Sequence, residues 1–95
     1  MNCKNYDFTR HAVQQMFARS ISADDVKEVI KHGEKVASYP EDRPYPSYLL
    51  LHVIKKRPIH VVLAIDIDSE TCIIVTAYEP SREIWEDDFK TRKKE

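Results

Sequence analysis

The stretch RPIHVVLAID, Arg57 to Asp66, carries a regular strand pattern and decides the fold. Its odd-numbered positions from 59 to 65 are all isoleucine, valine or leucine, which is the period of a strand that buries one face. His60 breaks the apolar run and follows closely on the basic cluster Lys55, Lys56 and Arg57. A histidine in this position has three readings: a structural side chain, a metal ligand or a catalytic group.

The sequence before this strand predicts two helices. Thr9 is placed as the N-cap of a helix from about Arg10 to Arg19. Ser22 opens a second helix, with Asp25 in a capping-box position. Gly33, the only glycine, follows this helix at the point where a left-handed residue commonly ends one.

The rest of the chain predicts a sheet followed by a last helix. Four strands are expected, joined as an antiparallel meander over residues 34–40 (EKVASYP) and over about 48–54, 59–66 and 71–79. The segment SREIWEDDFK, residues 81–90, has Trp85 and Phe89 four apart, which predicts a short C-terminal helix. A basic tail over residues 90–95 is expected to fray beyond it. The predicted fold is therefore α+β, with two N-terminal helices packed on a small antiparallel four-stranded sheet.

Composition limits the class of protein. The 95 residues suit one domain, residues 1–95, and 42% hydrophobic with 33% charged residues is typical of a globular chain. The net charge of -1 excludes a uniformly basic nucleic-acid-binding protein, but two local basic clusters could still bind phosphate. No apolar run could span a bilayer and no signal peptide is recognised, so the domain is predicted to be cytoplasmic, without membrane contact. Cys3 and Cys72 are read as two separate thiols in a reducing compartment.

Side-chain parity places His60 on the sheet face opposite the predicted core. The face under the helices is expected to hold an entirely apolar set, at positions 49, 51, 53, 59, 61, 63, 65, 73, 75 and 77. The other parity holds His52, His60 and Tyr78. Hairpins that turn about Lys56 and Ser69 would set His52 and Tyr78 directly opposite His60 on its two neighbouring strands. The three side chains would then form a row that ends beside the basic turn.

These groups suit phosphodiester cleavage without a metal ion. A histidine or tyrosine can take the proton of a ribose 2'-hydroxyl or protonate the leaving 5'-oxygen, while fixed cations stabilise the charge that develops on phosphorus. His11, Gln15 and Arg19 recur every four residues on the first helix and add a second candidate row. The histidines show no HxxxH, HxH or carboxylate-histidine spacing, so no metal site and no cofactor are predicted. Each of these side chains also has an ordinary reading as a solvated surface residue.

Five ordered motifs resemble a family of small bacterial domains of unknown function. The motifs are FTRHA (8–12), RSIS (19–22), YPED (39–42), KRPIHVV (56–62) and TAYEPSREIW (76–85). The resemblance covers roughly residues 6–89, and Ser20 and Lys56 stand where the family usually has glycine. That family is similar to the RelE, ParE and BrnT toxins, whose fold places helices on one side of a small antiparallel sheet. The resemblance implies a toxin of a type II toxin-antitoxin pair that acts as a metal-independent ribonuclease.

The same resemblance implies site residues and a partner. The recurring polar positions of the family fall here on His11, Arg19, Arg57, His60, Tyr78 and Glu79. An antitoxin partner is implied, such as a protein with a YgiT-type zinc finger. His52 has no counterpart in the family pattern, so it stays a secondary candidate together with Glu79.

Two hypotheses of different class follow. The first is an endoribonuclease in which His60, Tyr78 and His11 transfer protons. Phosphate binding then falls to the basic side chains Arg57, Arg19, Lys55 and Lys56. The second is a non-catalytic module that docks a protein or nucleic acid on the mixed face, which is more apolar than a solvated surface because it holds Leu50, Ile54, Val62 and Ile74.

Overall fold

The computed structural model describes residues 1–94 as a five-stranded mixed sheet with two helices packed on one face. The helices are α1 (Arg10–Arg19) and α2 (Ala23–His32). The strands are β1 (Asn5–Phe8), β2 (Glu34–Tyr39), β3 (Ser47–Ile54), β4 (Arg57–Asp66) and β5 (Thr71–Tyr78). Their order in space is β1-β5-β4-β3-β2, which makes β4 the central strand. The face away from the helices is called the far face below.

Both helices begin where the sequence predicts, because each has a capping side chain. The Thr9 hydroxyl oxygen accepts a hydrogen bond from the backbone N–H of Ala12 at 3.1 Å. Ser22 and Asp25 form the predicted capping box at the start of α2. No helix in residues 1–94 is long and apolar enough to cross a membrane.

The helices end where predicted, at Arg19 and His32, but the residue after α2 has a different conformation from the prediction. Ser20 takes the left-handed conformation after α1, with φ 55°. Gly33 has φ -71° and ψ 160°, so the prediction of a left-handed residue there is wrong. A Cβ at position 33 would lie 2.3 Å from the carbonyl oxygen of Val29, and this close approach is what requires glycine.

The prediction of four antiparallel strands is wrong, because a fifth strand precedes α1. β1 pairs in parallel with β5, beginning with Asn5 opposite Thr71. Its four residues are too few to show a strand period in the sequence. Just before β1, Cys3 forms a disulfide with Cys72 in β5, with Cα atoms 5.7 Å apart. The reading of two separate thiols is therefore also wrong.

The hairpin between β3 and β4 is tighter than predicted, and this turns β3 over. Its two turn residues, Lys55 and Lys56, have φ angles of 51° and 67°, as a two-residue turn of type I′ requires. His60 consequently lies opposite Leu51 rather than His52. Because a shift of one residue exchanges the faces of a strand, the even-numbered side chains of β3 face the helices and the odd-numbered ones lie on the far face. The predicted facing of His52 and His60, and the predicted core face of β3, are wrong.

The hairpin between β4 and β5 places His60 directly opposite Tyr78, as predicted. The connection of residues 67–70 starts the ladder one residue out of the predicted register. A β-bulge then leaves Val75 as an extra residue in β5 and restores the predicted pairing farther along. As a result, the start of β5 shows the opposite parity from the prediction, and Ile73 lies on the far face.

The C-terminal segment forms a hook rather than the predicted helix. This hook, residues 81–94, folds back so that Trp85 bridges Arg92. The Asp88 carboxylate accepts hydrogen bonds from two backbone N–H groups just after it, at 2.9 and 3.0 Å, and Phe89 has φ 57°. Such local bonds compete with those of a helix. Trp85, only 7% exposed, packs against the far face, and Glu95 at the end of the predicted tail lies outside the described residues.

Candidate active site

His60 lies fully buried on the far face, beneath the C-terminal hook. Its Nε2 is 2.7 Å from the carbonyl oxygen of Phe89, and its Nδ1 is 3.2 Å from the hydroxyl oxygen of Tyr78. Since a carbonyl oxygen can only accept, Nε2 carries the ring proton and donates it to Phe89, while Nδ1 accepts from the Tyr78 hydroxyl. Trp85 packs edge-on against the ring at a centroid distance of 4.8 Å. Burial lowers the pKa of His60 and the Phe89 carbonyl partly opposes this, so the ring is neutral at neutral pH.

Tyr78 connects this buried histidine to the surface. Its ring lies edge-on to His60 at a centroid distance of 5.3 Å, and the residue is partly exposed. Burial raises the pKa of Tyr78, as does the neighbouring Tyr39, whereas Arg92 lowers it. The phenol is therefore protonated and donates to His60. The lone pairs of its oxygen can still accept a hydrogen bond from a bound molecule.

A groove of about 480 Å³ opens beside Tyr78, between α1 and the C-terminal hook. His11, Gln15 and Arg19 form one wall, because residues four apart lie on the same side of a helix. Thr9 holds α1 against the sheet: its backbone N–H and its hydroxyl donate to two carbonyls of β5, at 3.2 and 3.1 Å. The predicted row on the helix thus meets Tyr78 in one groove, and His60 lies buried behind Tyr78.

The groove carries positive charge. Glu79 lines it, but this carboxylate is ion-paired with Arg57. Arg57 also donates to the carbonyl oxygens of Arg19 and Ser20 at the end of α1, so its guanidinium is held by structural partners rather than free for phosphate. Within residues 1–94, neither Arg19 nor Arg92, both of which line the groove, forms an ion pair. Among the described residues, these two guanidinium groups line the groove and are available to an anion.

The remaining predicted side chains lie elsewhere. Lys55 and Lys56 are exposed at the tip of the β3–β4 hairpin and do not line the groove. His52 faces α2, where its Nε2 is 3.6 Å from the carboxylate of Glu28 and its ring is 6.1 Å from His32. Histidine, cysteine, aspartate and glutamate side chains form no group of three that could hold a metal ion anywhere in residues 1–94.

Two parts of the site were missed by the sequence. Arg92 lines the groove and lies 5.6 Å above the Trp85 ring, but in the sequence it is one member of a basic run that is typical of a solvated tail. The carbonyl of Phe89 is a main-chain group, so no side-chain motif could indicate it. The signal that was present is Trp85, the only tryptophan, whose size makes burial against the sheet favourable.

Comparison with known proteins gives a family but no activity. A family model described as a domain of unknown function, DUF4258, matches residues 8–79, which is most of the chain. No curated protein and no solved structure matches. The matched stretch holds His11, His60 and Tyr78, whereas Phe89 and Arg92 of the hook follow it.

Proposed function

The chain belongs to the DUF4258 family of domains of unknown function, and from this premise we propose that its groove is the active site of a metal-independent endoribonuclease. One observation carries the proposal: the Tyr78 hydroxyl is bonded to a buried neutral histidine and opens into a groove lined by two arginines that form no ion pair within residues 1–94. A phosphodiester needs these parts, namely a proton acceptor, cations for the phosphate and a proton donor for the leaving group.

The proton acceptor in this proposal is the pair Tyr78 and His60. The ribose 2'-hydroxyl gives its proton to the Tyr78 oxygen as the Tyr78 proton moves to Nδ1 of His60. The resulting imidazolium keeps its Nε2–H on the Phe89 carbonyl, 2.7 Å away, which stabilises the new charge. Burial opposes this charging, so the Phe89 carbonyl must stay in place for His60 to act as a base.

The remaining groups complete the reaction. The 2'-oxygen attacks phosphorus, the bond to the 5'-oxygen breaks, and the leaving oxygen takes a proton from His11. Arg19 and Arg92 bind the non-bridging oxygens, where negative charge develops. The products are a 2',3'-cyclic phosphate and a 5'-hydroxyl. Arg57 acts indirectly in this mechanism, because it neutralises Glu79 and holds the end of α1 that carries Arg19.

Cleavage of a defined RNA in the presence of a chelator tests this proposal. We expect Tyr78→Phe and His11→Ala to slow cleavage by about 10²-fold or more, the range for loss of a positioned proton-transfer group. Tyr48→Phe and His32→Ala are matched controls, because these residues lie outside the groove. A 2'-deoxy substitution at the cleaved position should block the reaction. Absence of cleavage by the wild type, with Cys3 and Cys72 reduced and with them oxidised, would contradict the proposal.

A toxin function with an antitoxin partner extends the same proposal, with the cytoplasm as its place of action. It is supported by two large apolar side chains exposed on α1, Val13 at 51% and Phe17 at 89%. They lie one turn apart on the side of α1 away from the groove-lining row. Induced expression with and without the neighbouring gene product tests this: we expect slowed growth that the partner relieves and that Tyr78→Phe abolishes.

A non-catalytic binding module is the second candidate. The sequence favoured it through the apolar character of the mixed face, but in the structure Leu50, Ile54 and Ile74 belong to the core under the helices. The exposed pair on α1 is now the observation that favours it. A tight partner bound by a protein that leaves every RNA intact, and lost in Phe17→Ala, would establish this candidate instead.

A further inference from the structure

A second cavity of about 300 Å³ adjoins the groove on the far face. The two share Tyr78, Trp85 and Arg92, which form the ridge between them. The cavity floor is apolar and comes from β3 and β4, where Leu49 is 4% exposed and Val62 is half-buried. A molecule bound at Tyr78 can therefore extend over the ridge into this cavity.

The walls of the second cavity are aromatic and its rim is cationic. Tyr39, at the end of β2, is 44% exposed and forms one wall, and Trp85 forms another. Arg92 stands on the ridge without an ion pair in the described residues, whereas Lys90 is bonded to Glu34 at 3.0 Å. The cavity thus offers flat apolar surfaces beside one available guanidinium, a combination that suits a flat ring attached to a phosphate.

An extended peptide fits this cavity less well. The floor strands β3 and β4 each have a neighbouring strand on both sides, so their backbone groups are already paired within the sheet. A peptide laid across a sheet face therefore finds no strand edge with which to bond. A nucleobase needs no such edge, because it binds through its π-face and leaves its polar edge towards the open side.

We propose that this cavity binds one unpaired nucleobase of the RNA, next to the phosphate held at Tyr78, with the exposed Tyr39 ring as its stacking surface, Trp85 beside it and Arg92 on the connecting phosphate. The inference rests on the proposed ribonuclease function for the identity of the chain in the groove. It makes single-stranded RNA the substrate, since a paired base cannot enter the cavity. Tyr39 becomes a specificity-determining residue that lies outside the groove.

Binding of a non-cleavable oligonucleotide tests the base site independently of catalysis. The probe is a fluorescently labelled 2'-O-methyl RNA hexamer, compared with the same backbone carrying abasic positions and with its duplex. We expect the single strand to bind at least tenfold more tightly than either of the others. Tyr39→Ala should weaken binding of the single strand by about tenfold, within the range for removal of one stacking side chain.

Two control variants make the test specific. Tyr39→Phe keeps the ring and should bind like the wild type. Phe17→Ala removes an exposed aromatic side chain from outside both cavities and should also leave binding unchanged. In the cleavage assay Tyr39→Ala should raise KM and leave kcat unchanged, because the ring binds a base and transfers no proton.

The outcomes separate the two proposals. Equal binding of the abasic and intact strands, unchanged binding by Tyr39→Ala, or no binding of the single strand by the wild type would each overturn the base site. If the hexamer binds with the expected dependence on Tyr39 while no RNA is cleaved, the base site stands and the ribonuclease proposal fails. If RNA is cleaved through Tyr78 but Tyr39→Ala matches the wild type, the ribonuclease proposal stands and the base site fails.

Discussion

Replacing Tyr78 by phenylalanine removes one hydroxyl and should measurably destabilise the domain. The acceptor that loses its partner is Nδ1 of His60, a side chain with 0% exposure. A buried polar atom left without a partner costs about 1–3 kcal/mol. Because Tyr78 itself is partly exposed, water can recover some of this, and we expect a loss of about 1.5 kcal/mol in the free energy of unfolding. For a chain of this size that corresponds to a fall in Tm of about 6–12 °C.

Urea unfolding measured by the fluorescence of Trp85 is a suitable assay. Trp85 is the only tryptophan and contacts the His60 ring, so its emission reports on the perturbed region. The measurement belongs at about pH 8, where His60 is neutral in both the folded and the unfolded chain. Tyr48→Phe is the control, because its ring packs against the core on the helix side of the sheet and its hydroxyl has no part in this network.

A double-mutant cycle identifies the cause of the loss. In a His60→Leu background the acceptor is gone, so Tyr78→Phe should cost about 1 kcal/mol less than it does in the wild type. Equal costs in both backgrounds would refute the assigned bond between Tyr78 and His60. So would a Tyr78→Phe variant whose free energy of unfolding lies within about 0.3 kcal/mol of the wild type. The tautomer of His60 and the proposed proton path would then have no basis.

Three further predictions concern stability. Because burial lowers the pKa of His60, the unfolded chain binds a proton more readily than the folded one. The free energy of unfolding should therefore fall as the pH drops below about 6.5. In urea titrations at several pH values, His60→Leu should remove this component of the pH dependence. Ser20 and Lys56 have left-handed backbones, with φ 55° and 67°, which glycine adopts at lower cost. Ser20→Gly and Lys56→Gly should therefore each raise the free energy of unfolding by about 0.5–1 kcal/mol, seen as a higher Tm. A lower Tm would contradict the left-handed conformation. Gly33→Ala brings a Cβ to 2.3 Å from the Val29 carbonyl oxygen and should lower the free energy of unfolding by more than about 1 kcal/mol. A neutral result in the same denaturation assay would count against this close approach at the end of α2.

The helices were predictable because their signals are local. Thr9 and Ser22 cap the backbone within three residues of themselves, so a short window of sequence contains both the donor and the acceptor. Strand faces were less predictable because each depends on the count of residues in a turn. One residue fewer at Lys55 and Lys56 exchanged the faces of β3, although every apolar residue of that strand had been recognised.

The facing of His60 and Tyr78 was predicted correctly for an incomplete reason. The prediction assumed one regular hairpin, whereas the connection of residues 67–70 and the bulge at Val75 each shift the register by one residue. The two shifts cancel at Tyr78 but not at Ile73, which is why the predicted parity fails only at the start of β5. Bulges arise from the twist and packing of the finished sheet, and a single sequence does not display them.

Contacts between segments that are far apart in the chain could not be predicted from the sequence. Cys3 and Cys72 are 69 residues apart, and only the pairing of β1 with β5 brings them together. The spacing of Trp85 and Phe89 is compatible with a helix and with a hook. The hook forms because the Asp88 carboxylate accepts hydrogen bonds from the backbone N–H groups that follow it. The hook then supplies the carbonyl that fixes the tautomer of His60.

Arg57 shows that a basic residue predicted to bind phosphate can be engaged by the protein itself. It was predicted to bind phosphate, but its guanidinium bonds Glu79 and the last carbonyls of α1. Those bonds determine the charge of the groove, since without them the Glu79 carboxylate would repel a phosphate at the position where Arg19 should attract it. Under the proposed function, loss of Arg57 would therefore weaken RNA binding and also release the end of α1. In the proposed mechanism Arg57 is a positioning residue. It is needed because it sets the electrostatics of the groove, and it does not contact the reacting phosphate.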